Sequence, residues 1–395
     1  MEWQPYAQHL ADGATHPTSR WRGPVAEVPR HVFVPAWWEH TGQEWVHRLG
    51  QEDPTRWAEA AYADRSLVTS VAGRHADHTN TGATAHGLPS SSSTLPSLVV
   101  RMYQHARIEQ GMRVLDVGTG SGYGAALLAH RYGDQYVTSI DVDPYLVGAA
   151  AGRLDTVGLH PTVMLCDATG ELEGTYDRIV SMVAMPRIPT SWIRALRPGG
   201  RLVTTITGMS IIVCADKLAV PEHGAVAMGE TARDWAMFMG TQQQDWQRDS
   251  GLIAAVCDAE GEHVSRSPFP VPDVAESFEL RSMLELSAPG VAHQYQEHGM
   301  VRTAWMAHPD GSWARATQQA DEPAVVHQGG PRRLWDVLDG LRYEWAREGR
   351  FPLYGARVWI KSDGVCWLAR GSWHARIGSS HRNPLPSRPE TSAPS

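Results

Sequence analysis

The stretch Val114–Tyr123, VLDVGTGSGY, places one carboxylate beside three glycines at G-x-G-x-G spacing. Gly118, Gly120 and Gly122 remove Cβ atoms from a tight turn and let a ligand approach the backbone. The spacing is not the G-x-G-x-x-G that cradles a dinucleotide pyrophosphate. Asp116 lies two residues before the first glycine. A carboxylate there suits a cationic ligand such as the amino group of S-adenosylmethionine, with Gly118, Thr119, Gly120, Gly122 and Tyr123 forming the binding turn. A second acid, Asp141, ends the β-rich run Gln135–Val142, about twenty residues past the glycines, where an acid accepts from both ribose hydroxyls. Val142 would flank the same ligand. Asp143-Pro144 also reads as a helix cap with Pro in the first turn, and both roles can hold together. A third acid, in Asp167-Ala168, follows the short strand Thr162–Cys166 and either meets the adenine amino group or serves as a turn residue.

The elements that must carry these residues alternate. Apolar Val114–Val117 is a strand, YGAALLAHRY at Tyr123–Tyr132 takes helical spacing, and Tyr176–Met182 and Arg201–Thr207 are further strands, the last fed by the RPGG turn at Arg197–Gly200. Strand and helix in strict alternation with short links predict an α/β fold, a doubly wound, Rossmann-like parallel sheet. Ser210–Ala215 and Gly224–Gly229 would close it on an antiparallel edge. Residues 1–70 read as short helices and turns, and 71–94 as a long polar loop. Leu95–Glu109 reads as a helix capped by Ser93 or Thr94, with Pro96 in its first turn. At 395 residues the chain is too long for one such core. The expected division is a domain over 1–241, an α+β accessory domain over 242–384 and a disordered tail over 385–395. In the second unit, helices are expected around Ala275–Leu286 and Pro331–Glu348. Arg357–Ala369 reads as a hairpin turning at Asp363-Gly364.

Composition narrows the partners. A net charge of -8 argues against nucleic acid. The four cysteines are widely spaced, without CxxC or Cys/His clusters, so neither disulfides nor a metal is expected, and His75, His78 and His86 lack partners at ligand spacing. The N-terminus has no basic, apolar leader and no eighteen-residue apolar run occurs, so the expectation is a cytoplasmic protein that does not engage membranes. The 16 tryptophans lie mostly outside the sheet and fit either packing of auxiliary segments or a groove for an extended peptide.

VPRHVFVP at Val28–Pro35, AYADRSLV at Ala61–Val68, a Ser/Thr-Pro segment and then VLDVGTGSGYGAALLA, in this order, resemble protein L-isoaspartate O-methyltransferases over residues 25–238. The resemblance implies a cytoplasmic class I methyltransferase that uses S-adenosylmethionine. Asp116, Gly118, Gly120 and Gly122 would hold its methionine end, Asp141 the ribose, and Asp167 with Ala168 the adenine. The family's T-I-S-Q/A-P pattern aligns its serine with Thr94, beside Ser92 and Ser93, which makes these three the candidate catalytic hydroxyls. Thr94 would orient the substrate carboxylate or merely cap the helix. The altered motif, the long insert and about 150 extra residues look like the branch encoded beside ribosomally made, modified peptides such as lanthipeptides and graspetides. There, an ordinary Asp of a cyclised precursor peptide is methylated and closes to aspartimide, which hydrolyses to isoaspartate. The alternatives are isoaspartyl repair of varied proteins and a non-catalytic peptide-binding scaffold.

Overall fold

The computed structural model describes residues 2–222, 224–240 and 245–377. The chain opens with α1 (Gln4–Ala14) and α2 (Arg22–Glu27), and VPRHVFVP supplies a 3-10 turn at Arg30–Phe33. A small sheet follows: β1 (Ala36–His40), β2 (Trp45–Leu49), then α3 (Pro54–Ala61), β3 (Leu67–Val71), β4 (Arg74–His75), β5 (Thr84–Ala85) and β6 (Pro89–Ser93). Its strand order is β4-β3-β1-β2-β5, with β6 on β3.

This sheet corrects two expectations. Residues 1–70 contain three strands, not only helices and turns, and residues 71–94 are folded into the sheet, not a loop. Serine is a weak strand former, but β6 pairs antiparallel with β3 over Leu67–Ser93, Val68–Ser92 and Ser70–Ser91. Its hydroxyls bond across the sheet, with Ser90 Oγ donating to Ser70 Oγ at 2.7 Å and Thr69 Oγ1 to Ser91 Oγ at 3.1 Å. Context of this kind overrides propensity in strands.

α4 (Pro96–Ala106) leads into the alternating unit: β7 (Val114–Val117), α5 (Tyr123–Tyr132), β8 (Val137–Asp141), α6 (Pro144–Thr156), β9 (Thr162–Leu165), β10 (Tyr176–Met185), α7 (Thr190–Ala195) and β11 (Leu196–Ile206). β9, β8, β7, β10 and β11 are parallel in that order, and the doubly wound α/β fold is as expected. β7 is buried along its whole length, which is why VLDV reads as a continuous core strand and why one carboxylate inside it is conspicuous. β12 (Ile211–Glu222) and β13 (Ala225–Trp235) extend the sheet antiparallel, as the sequence suggested.

Beyond the described residues of 224–240 come α8 (Asp245–Ala254), β14 (His263–Ser267), α9 (Phe278–Ser287), β15 (Ala292–His298), β16 (Val301–Ala307), β17 (Trp313–Gln319), β18 (Ala324–Gly329) and α10 (Leu334–Glu348). The five strands form a separate antiparallel sheet in the order β14-β18-β17-β16-β15. The hairpin then appears as β19 (Arg357–Lys361) and β20 (Cys366–Arg370), followed by β21 (Trp373–Ile377). These three rejoin the sheet of β7–β13, β19 pairing with β13, so that this main sheet reaches ten strands. The main sheet therefore continues past the boundary expected at residue 241. One apolar cluster runs unbroken from Leu115 and Ile179 to Leu338 and Val358. The tail expected over 385–395 lies outside the described residues. No helix among them is long and apolar enough to cross a membrane.

Candidate active site

The chain runs from β7 to β8 and β9 on one side and from β10 to β11 on the other, so the connections diverge between β7 and β10, and a crevice opens beyond the carboxyl ends of these strands and β8. It measures about 720 Å³, the size of a small-molecule site. Asp116, Gly118, Thr119, Gly120, Tyr123, Asp141, Val142, Asp167 and Ala168 line it on one side, and Ser92, Ser93 and Thr94 on the other. Of the residues singled out in the sequence, Gly122 alone is not part of the lining. Its φ of +91° starts α5, and a Cβ there would meet Ala150 Cβ at 3.0 Å, so its work is packing against α6.

Gly118 and Gly120 do face the crevice, with φ of +92° and +51°. A Cβ on Gly118 would meet Val183 Cγ2 at 2.4 Å, and one on Gly120 the Ser92 carbonyl at 3.3 Å. The turn thus approaches the hydroxyl strand closely because it carries no side chains there. Asp116 is 1% exposed. Tyr103 donates to its Oδ1 at 3.2 Å and Ser139 Oγ to its Oδ2 at 2.8 Å, while burial pushes its pKa up to about 7. Asp141 accepts from the Gly120 N–H at 2.9 Å and the Asp143 N–H at 3.1 Å, and burial raises its pKa as well. A carboxylate has about four acceptor positions, so each acid keeps capacity for a ligand.

Asp167 is exposed and accepts from the Thr169 N–H at 2.8 Å and hydroxyl at 2.7 Å, which makes it a turn residue whatever else it does. Val142 is 69% exposed at the crevice, an apolar surface that would suit a flat ring. The Tyr123 ring stands against Phe33 at 5.9 Å, with the Arg30 guanidinium 5.6 Å from its centroid. Among the described residues its buried hydroxyl has no partner, nor has the buried Ser93 Oγ. Orphan hydroxyls lining a crevice are costly unless something else satisfies them.

The hydroxyl wall is held from far away in the chain. Arg30 is fully buried and donates to the carbonyls of Ala61, Ala63, Arg65, Ser93 and Thr94 at 2.8–3.2 Å. Desolvation lowers its pKa to about 10, so it keeps its charge. Neither Ser93 nor Thr94 caps α4, contrary to expectation: Leu95 occupies the cap position. Asp64 Oδ1 accepts from the Ser97 N–H at 2.9 Å and Ser66 Oγ from the Leu95 N–H at 3.1 Å, a cap delivered by another segment. Thr94 is consequently free of helix duty. The sequence signal for Arg30 was the VPRHVFVP run, but five carbonyl partners are not written there. Met182, Val183 and 237–240 complete the lining and were not singled out either. Among the described residues no tryptophan lines the crevice, and the largest buried ones, Trp21, Trp37, Trp38, Trp192 and Trp335, are packing residues.

The family model for Protein-L-isoaspartate(D-aspartate) O-methyltransferase matches residues 63–224. The matched stretch contains both walls of the crevice. A protein-L-isoaspartate O-methyltransferase of Thermococcus onnurineus is 32% identical over 144 residues, 33% of this chain and 65% of that protein. One of Anaeromyxobacter dehalogenans is 39% identical over 116 residues, 28% of this chain and 54% of that protein. The chain thus spans between half and two thirds of the length of these relatives. A solved protein-L-isoaspartate O-methyltransferase aligns over 96% of this chain and 100% of its own, at 15% identity and a TM-score of 0.47.

Proposed function

We propose that the chain is an S-adenosylmethionine-dependent O-methyltransferase that esterifies isoaspartyl carboxylates in polypeptides. The observation that carries the reading is the crevice itself, where the Asp116–glycine turn–Asp141 wall faces the Ser92–Thr94 wall inside the stretch that matches the family. Asp116 would hold the cofactor's amino group, Asp141 its ribose hydroxyls, and Val142, Asp167 and Ala168 its base. The bound cofactor supplies an electrophilic methyl group. A side-chain carboxylate with a pKa of about 4 is already ionised near neutral pH, so no general base is required. What the protein must supply is alignment and exclusion of water. Ser93 and Thr94 would donate to the carboxylate and leave one oxygen directed at the methyl group. Among the described residues lining the crevice there is no Lys, Arg or His, so no cation quenches the nucleophile.

The sequence alone put first an ordinary Asp of a cyclised, ribosomally made precursor peptide, closing to aspartimide after methylation. The relatives' names support the isoaspartyl substrate instead, and the aspartimide chemistry stands second, supported by the folded insert at 71–94 and the added C-terminal sheet. The experiment compares matched peptides that differ only in Asp or isoAsp, scored by methyl transfer in mass spectrometry. Esterification of the isoAsp peptide alone supports the first reading. Esterification of an Asp peptide at comparable rate supports the second, and no transfer to either leaves a binding scaffold.

A further inference from the structure

We propose that the segment 74–78 is a latch on the cofactor half of the crevice, with Asp77 and His75 as positioning residues for an adenosine-bearing cofactor. The inference rests on the functional reading above and adds residues outside the motifs that carry the resemblance. The segment is anchored from behind: Ala76 is buried, and its carbonyl meets Nε2 of the fully buried His47 at 2.8 Å. From this base its side chains reach across to α6. The Asp77 carboxylate accepts from both the Tyr145 hydroxyl and the Arg153 guanidinium. The Asp77 and Arg153 side chains are 20% and 12% exposed, so the charged pair is partly screened at the surface of this segment.

Each of these contacts ends on the cofactor wall. Arg153 also donates to the Ser121 carbonyl at 3.3 Å, inside the glycine turn. His75 Nε2 lies 2.9 Å from Asp143 Oδ2. Asp143 uses its Oδ1 to cap α6 through the Tyr145 N–H, and its own N–H donates to Asp141. Tyr145 is packed between the rings of His75 at 4.4 Å and His78 at 4.2 Å. Ser121 and Asp143 both line the crevice. Asp77 therefore fixes the glycine turn through Arg153, and His75 fixes Asp141 through Asp143. Two supports for one ligand come from a single folded segment, and the same chain runs on into β6 and the hydroxyl wall. Two of the three histidines of this stretch, His75 and His78, are thus packed on Tyr145 of α6.

The test uses the full chain and S-adenosylhomocysteine as the probe. Asp77→Ala is expected to weaken its binding by about tenfold in calorimetry, and to raise the KM for S-adenosylmethionine by a similar factor. At saturating cofactor kcat should stay within about threefold, because the hydroxyl wall is untouched. Asp77→Glu should recover part of the affinity. Asp310→Ala, which breaks the ion cluster with Arg332 and His308 in the second sheet, should change melting temperature but not affinity. If Asp77→Ala does not fold, Asp77→Asn carries the same expectation at about half the effect in free energy. A folded variant that binds the probe within about twofold of wild type overturns the latch and leaves the methyltransferase reading standing. A wild-type chain with no affinity for the probe overturns both.

Discussion

The two walls of the crevice are built in opposite ways. The wall proposed to hold the cofactor is local: Asp116, the glycine turn and Asp141 lie within 26 consecutive residues and reach their places because β7 and β8 are adjacent parallel strands. The hydroxyl wall is assembled from a distance. Ser93 and Thr94 stay in place because Arg30, more than 60 residues earlier, gathers five carbonyls around one guanidinium. A wall made by neighbouring strands tolerates change elsewhere in the chain. A wall hung on one buried cation does not, and the contrast can be tested at each point.

The largest effect is expected at Arg30. Arg30→Met takes the guanidinium donor from five carbonyls, of which that of Ala63 keeps the Arg65 N–H, at about 1–3 kcal/mol for each one left unpaired and less than additively, for a total loss of about 3–5 kcal/mol in urea unfolding. Arg30→Lys should not rescue it, since an ammonium has three donors and no planar fork. A stable Arg30→Met enzyme with full activity would erase the contrast between the walls. Next comes Asp141→Ala, which removes the acceptor proposed for the cofactor's ribose and the one used by the Gly120 and Asp143 N–H groups. It should cut S-adenosylhomocysteine affinity about 100-fold or more with the fold intact by circular dichroism.

A pH series sharpens the cofactor wall further. The Asp116 carboxyl is held up to about pH 7 by burial, so the free protein keeps it protonated below that value. Its folded pKa exceeds the unfolded one, so this group's contribution to stability is fully present below the unfolded value of 3.8 and is lost as pH rises through about 7. A cofactor ammonium needs the ionised form, so affinity should strengthen between pH 6 and pH 8 by up to about tenfold per unit below the pKa. Asp116→Asn should flatten that profile. The smallest effects separate two residues at the other wall. Thr94→Ala should lower kcat about tenfold with melting temperature unchanged, because Thr94 caps nothing. Asp64→Ala should do the reverse, costing about 1 kcal/mol through the lost Ser97 cap while turnover is kept. If Thr94→Ala lowered stability instead, the hydroxyl would belong to the scaffold.

The amino-acid sequence by itself determined the alternating unit, its antiparallel extension, the hairpin at Arg357–Ala369 and the placing of Asp116, Gly118, Gly120 and Asp141 at one crevice. Periodicity and turn chemistry act over a few residues, and those features are written within a few residues. Legibility failed where partners are remote. A run of serines gave no strand signal because β6 exists only through pairing with β3, and α4 took its cap from Asp64 instead of the adjacent Ser93 or Thr94. Gly122 looked like its two neighbours in the motif, and only the approach of Ala150 shows that it packs instead of lining the crevice. The return of β19–β21 to the main sheet, after the whole five-stranded sheet had intervened, likewise exists only through the pairing of β19 with β13. Tertiary structure decided these because a buried hydrogen-bonding group must find a partner wherever the fold brings one, and sequence distance does not enter that requirement.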